Sequence, residues 1–221
     1  MVQSDYIMRM IEQLAQVLAQ IAFKKQERLW NDAEHEIREG CEKLLGLSYD
    51  VLKLVGIEEL VLLIGENGRI EPVKGFILAS LLFEEADLQE KKDDHGPLKT
   101  LYLKAATFYM EVHKTQRVEF TSRCEKKMKF ILERLKGEIF PVEFRVRLFE
   151  YCELSRDYAM AENLLFVLAE EKVDSILEKG LLFYNHLLEK TDDELRWGNL
   201  SLQEAREGKQ EFIDRFFPHK R

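Results

Sequence analysis

Proline and glycine are scarce in this chain. Four prolines and eleven glycines in 221 residues leave few places where a helix must break, which favours an all-helical fold. Cysteine is scarcer still. Cys41, Cys124 and Cys152 form no CxxC pair, and their odd number and wide spacing suit reduced thiols in the cytoplasm better than a disulfide framework. Long apolar runs are missing too. No run, 60–64 included, comes near the roughly 20 residues that a membrane span needs, so no membrane partner is expected. The N-terminus has no basic stretch followed by an apolar core, so no signal peptide is expected. Positive charge is in deficit: 33 basic against 41 acidic residues give a net charge of −8. An acidic surface repels phosphate backbones, so direct nucleic-acid binding is not expected.

Local catalytic signatures are absent as well. Gly65-Glu66-Asn67-Gly68 lacks the Lys-Ser/Thr of a phosphate loop, and there is no G-x-S-x-G elbow. His35-Glu36-Ile37-Arg38-Glu39 resembles a zinc helix but carries Glu where the second His must stand. Glu-x-x-His pairs on two helices, the donor set of carboxylate-bridged metal bundles, do not occur. Asp32 and His35 supply that spacing once. The expectation is no metal and no cofactor.

What is present is helical periodicity. In 142–171, Phe144, Leu148, Tyr151 and Cys152 recur at three- and four-residue steps, as on one buried helical face. Pro141 suits a first turn. Ser155-Arg156-Asp157 interrupts the run, and Asp157 can cap the next helix. That helix carries Tyr158, Ala161, Leu164, Leu165 and Leu168 inward. Ala161 followed by Leu165, after the turn at Asp157-Tyr158, resembles one tetratricopeptide repeat. Cys152 stands where that family has tyrosine, and Phe149 where it has a small residue. The resemblance implies antiparallel hairpins stacked as a short array, with the first helix of each pair lining a groove. Glu143, Glu150 and Glu153 fall on the groove-lining positions. The functional reading of this stripe is an acidic site for a basic or amphipathic segment; the alternative is a solvated face.

The same pattern organises the rest. Pro72 opens a helix running to about Lys92, with Phe76, Ile77, Ala79, Leu82, Phe83, Ala86 and Leu88 apolar; Asp93-Asp94-His95-Gly96-Pro97 breaks it. A helix with Ala105 and Tyr109 completes that pair. Ser122 and Glu125 have capping-box spacing, as do Thr191 and Glu194, and Ser201 and Glu204. A further pair covers about 173–190 and 202–217, ahead of a tail at Pro218-His219-Lys220-Arg221. Arg123, Lys126, Lys127, Lys129, Arg134 and Lys136 make one helix locally basic.

At the N-terminus, Ser4 can cap a long helix. Ile7, Ile11, Leu14, Leu18 and Ile21 alternate steps of four and three, a packed seam. The seam serves either packing against the next helix or a homodimer, and both stay open. Asp5-Tyr6-Ile7-Met8-Arg9-Met10-Ile11-Glu12-Gln13-Leu14 resembles the opening of an uncharacterised family from Gram-positive bacteria known only as a domain of unknown function. That resemblance implies a source and no activity. A second helix spans about 29–45, with Gly46 as its stop. Two short helices follow, 48–55 and 57–64. The run 60–64 reads as helix rather than strand, because no partner strand is evident.

The expected architecture is all-α: an N-terminal helical subdomain, 1–68, followed by a tetratricopeptide-like hairpin region, 69–221. The leading functional expectation is non-enzymatic recognition of a protein or peptide, a basic one if the Glu143, Glu150 and Glu153 stripe is its site. One alternative is an enzyme or small-ligand binder that assembles His35, His113 or His186 with carboxylates between helices. Another is a regulator of a nucleic-acid-binding partner.

Overall fold

A computed structural model of the chain describes residues 2–66, 69–92 and 98–217. The expected turn residues Asn67-Gly68, the break at 93–97 and the tail at 218–221 lie outside them. The described chain is all-α, with one pair of two-residue strands, and it forms two compact units, 1–137 and 138–221. The sequence reading set its boundary near 68; by compactness the chain divides at Gly137/Glu138.

The first unit comprises α1 (Val2–Gln26), α2 (Trp30–Leu45), α3 (Tyr49–Leu54), α4 (Ile57–Ile64), β1 (Gly65–Glu66), β2 (Arg69–Ile70), α5 (Pro72–Lys91), α6 (Leu98–Lys114) and α7 (Val118–Arg134). Its centre is α5. Glu71 caps it, accepting from the amides of Val73 at 3.1 Å and Lys74 at 2.7 Å, and Pro72 sits where a missing N–H costs nothing. From Phe76 to Phe83 every residue is buried, so the middle of α5 has no solvent face; the helix packs against α1, α2, α3 and α6. A helical segment apolar all round must be enclosed, and a cut at residue 68 would separate α5 from α1 and α2.

Three of the five N-terminal seam residues, Ile7, Leu14 and Ile21, are buried in this unit, while Ile11 and Leu18 are half-buried. Helix α1 begins at Val2, so position 4 lies inside it rather than ahead of it. Gly46 ends α2 in the left-handed region at φ 68°, its N–H turned back to Cys41 O and Glu42 O. Residues 60–64 are helical within α4. Ser122 does not start a helix: α7 opens at Val118, four residues earlier. Burying Phe120 against Phe76, ring centroids 4.9 Å apart, rewards that earlier start more than one side-chain cap would.

Charge is buried in this unit, always with a partner or a ring of carbonyls. Lys25 of α1 donates to Glu84 Oε2 at 2.8 Å, Asp87 Oδ2 at 2.9 Å and the Glu84 carbonyl at 2.7 Å. Lys104 of α6 reaches the carbonyls of Lys53 at 2.8 Å and Val55 at 2.7 Å, where α3 leaves its last acceptors open.

The second unit comprises α8 (Val142–Leu154), α9 (Tyr158–Glu170), α10 (Ile176–Leu188), α11 (Asp192–Arg196) and α12 (Leu202–Phe216). Asp157 caps α9 through the Met160 amide, and Thr191 and Ser201 form reciprocal capping boxes for α11 and α12. Helix α8 packs on α9, and α10 on both α9 and α12. Phe149 meets Phe183 at 5.6 Å, and Glu153 meets His186 three to four residues on, so α8 and α10 run in the same sense. Phe166 meets Phe212 at 5.7 Å and Glu170 meets Arg215 at 2.6 Å, so α9 and α12 also run together. The unit is two hairpins laid side by side.

Candidate functional site

Within the second unit, the acidic stripe expected from the sequence does not share one environment. Glu143 is exposed in the first turn of α8. Glu150 is ion-paired with Lys179 of α10. Glu153 Oε1 lies 3.0 Å from His186 Nδ1, also on α10. Two of the three carboxylates are therefore engaged in holding α8 to α10. Leu154 and Leu182 are exposed on the same two helices.

A different acidic concavity lies between α9 and α12. Its cavity of about 430 Å³ is lined by Glu162, Asn163 and Phe166 from α9 and by Glu204, Glu207, Gly208, Glu211 and Arg215 from α12. Tyr184 donates its phenol to Glu162 Oε1 at 2.7 Å. Burial pushes the Glu162 carboxyl above the ordinary range; the Tyr184 bond opposes this, and Glu204 and Glu211 add to it. Gly208 leaves room for this pair: a Cβ there would displace the Glu162 carboxylate and come within 2.9 Å of Tyr184 OH. Glu204 is occupied by the Ser201 amide at 2.7 Å. Glu207 accepts from Gln203 Nε2 at 2.8 Å and retains further acceptor capacity.

A second cavity of about 600 Å³ adjoins it, and both are lined by Arg215. Ala169, Val173, Leu177 and Phe216 give it an apolar wall, and Glu170, Lys172, Asp174 and Glu178 also line it. The second unit thus carries a groove that is acidic at one end and apolar at the other. The sequence signal for it was the i, i+3, i+7 spacing of Glu204, Glu207 and Glu211. Glu162 left no such signal, since its place opposite Gly208 depends on how α9 meets α12.

Other residues with chemical promise are spread apart. Among the described residues no group of three or more His, Cys, Asp or Glu could hold a metal ion. His35 pairs with Glu39 at 3.1 Å on an exposed face. His113 is buried in the first unit with Nε2 3.2 Å from Glu125, and His186 lies in the second. All three cysteines are buried free thiols. Burial pushes the Cys41 and Cys124 thiols up to about 12 and raises Cys152 as well, which suppresses the nucleophilic thiolate. In the basic helix α7, Lys127 is drawn inward over the Phe83 ring and toward Glu84, and Arg134 reaches Glu90. Arg123, Lys126 and Lys129 remain exposed.

The chain matches the model of a family of unknown function, DUF6483, over residues 1–216. It belongs to that family. No curated protein and no solved structure matches it. Among the described residues no helix is long and apolar enough to cross a membrane.

Proposed function

We propose that this DUF6483 protein is a non-enzymatic recognition protein whose second unit binds a basic, amphipathic protein segment along the α9–α12 groove. The observation that carries this reading is the groove itself, with Glu162, Glu207 and Glu211 at one end and Val173, Leu177 and Phe216 at the other. A segment with lysines or arginines followed by apolar side chains would satisfy both ends, the charged end favouring encounter and the apolar end residence.

Repeat spacing supports a tetratricopeptide-like character. Helix α10 opens 34 residues after α8 (142 to 176), and α11 opens 34 after α9 (158 to 192), the period of that repeat class. The register is then interrupted by 192–201, and α12 is the helix that packs on α10. Buried free thiols fit a reducing, cytoplasmic setting.

The test is fluorescence anisotropy with a labelled amphipathic Lys/Leu helical peptide. Wild-type protein is compared with Glu207→Lys/Glu211→Lys and with Glu143→Lys. The groove variant is expected to lose at least tenfold in affinity and most of its salt dependence, while Glu143→Lys changes little. Equal binding by all three would overturn the assignment of the groove. Loss confined to Glu143→Lys would move the site to the α8 face.

A further inference from the structure

Helix α1 contributes one face to the first unit and leaves another uncovered. Its inner face, through Ile7, Leu14 and Ile21, packs on α2 and α5. One residue further round lies a second series at alternating steps of three and four: Met8, Ile11, Ala15, Leu18 and Ala22. Met8 is 50% exposed, Ala15 and Ala22 are exposed, and Ile11 and Leu18 are half-buried. Residues 13–23 contain no charged side chain in a chain that is 33% charged. Phe23 is 57% exposed at the end of this stretch. A solvated helix face normally carries charge, and depletion of charge marks the core of an interface.

We propose that α1 forms a homodimer by pairing antiparallel with α1 of a second copy along Met8, Ile11, Ala15, Leu18 and Ala22. The occupant follows from residue size. Read as a heptad seam, the first positions are Met8, Ala15 and Ala22, and the second are Ile11 and Leu18. Running the two helices in opposite directions sets Ala15 against the partner's Leu18 and Ile11 against the partner's Ala22. Every central layer then holds one small and one large side chain, the alternation that fills an interface evenly. A parallel pair would stack alanine on alanine and leucine on leucine, leaving voids in alternate layers. Charge agrees at the ends: the antiparallel register brings exposed Asp5 toward exposed Arg28 of the second copy. The seam Ile7, Ile11, Leu14, Leu18 and Ile21 is thus divided. Three residues serve the chain's own core, and Ile11 and Leu18 are shared with the partner.

The experiment is sedimentation velocity on the full chain from about 1 to 100 μM, the range that reveals micromolar and tighter association. Wild type is expected at twice the 26.1 kDa chain mass. Ala15→Arg/Ala22→Arg, at two exposed positions, is expected at the single-chain mass with an unchanged circular dichroism melt. Orientation is read by pulsed electron resonance on Met8→Cys carrying a nitroxide, the native thiols being buried. The antiparallel register separates the two labels by roughly 25 Å along the axis (17 residues at 1.5 Å each), whereas a parallel pair brings them to about 10 Å. A monomeric wild type, or a dimer that survives the double substitution, overturns the proposal. A short label distance overturns the antiparallel register.

Discussion

The two units solve the same packing problem differently. The first encloses the middle of one helix, α5, on all sides and admits charge to its interior. The second encloses none, and three of its ion pairs, Glu150–Lys179, Glu153–His186 and Glu170–Arg215, tie together helices that run in the same sense. Lys25 in the first unit is 6% exposed, with two carboxylates facing it; Arg215 and Glu170 in the second are each half exposed. An interior ion pair is costly to break because removing one member strands the other. An exposed pair contributes little. The first unit should therefore be sensitive to the loss of single charges, and the second to changes in helix separation.

Three substitutions test this contrast. The chain holds two tryptophans, Trp30 in the first unit and Trp197 in the second, so each unit can be followed alone after the other is changed to Phe. Lys25→Met should have the largest effect, about 3 kcal/mol of stability lost in urea unfolding followed at Trp30. A loss below about 1 kcal/mol would mean that Lys91 and Lys127 already balance Glu84 and Asp87. The effect has a pH signature. Burial pushes the Asp87 carboxyl up, but Lys25 and Lys91 outweigh it and hold it below the ordinary range. A depressed carboxylate stabilises the fold above its unfolded pKa of about 4 and loses that contribution as pH falls toward its folded value. Lys25→Met should flatten this acid dependence.

Next is Gly180→Ala. A Cβ at Gly180 would lie 2.5 Å from Phe212 Cζ and 3.0 Å from Leu165 Cδ1, where α10 approaches α12 and α9. Overpacking of this kind costs about 2 kcal/mol, read at Trp197. A shift in the Trp30 transition as well would mean that the two cores unfold as one.

Smallest is Glu162→Gln. The Glu162 carboxyl is raised, chiefly by burial, so its ionised form opposes folding at neutral pH, and that penalty is absent once both folded and unfolded states are protonated. Removing the charge should stabilise the second unit at pH 7 by less than about 1 kcal/mol, given solvent screening. The gain should vanish below about pH 4. Thermal melts of both forms at pH 7 and pH 3.5 check this; a gain that persists at the lower pH would mean charge is not its source.

How much of this was legible in the sequence follows from the range of each interaction. Gly46, Asp157, Thr191 and Ser201 were readable as stops and caps because their partners lie within five residues. Ser122 had the same local pattern and misled, since the burial of Phe120 on α5 moved the helix start. Glu150 and Glu153 were readable as a stripe, but their engagement by Lys179 and His186 depends on α10 lying beside α8. Glu162 could not have been found, because its neighbours Tyr184 and Gly208 come from two other helices.

By itself the sequence determined that this chain is all-α and where most of its helices begin and end. Periodicity and capping act within a few turns, so they are fully encoded in local order. Only the tertiary structure decided which faces are spent and which remain open. The α1 seam was divided between core and surface, the acidic stripe of α8 was drawn into ion pairs, and a groove appeared between α9 and α12. Those outcomes depend on the distance between helices remote in the chain, and no local pattern records that distance.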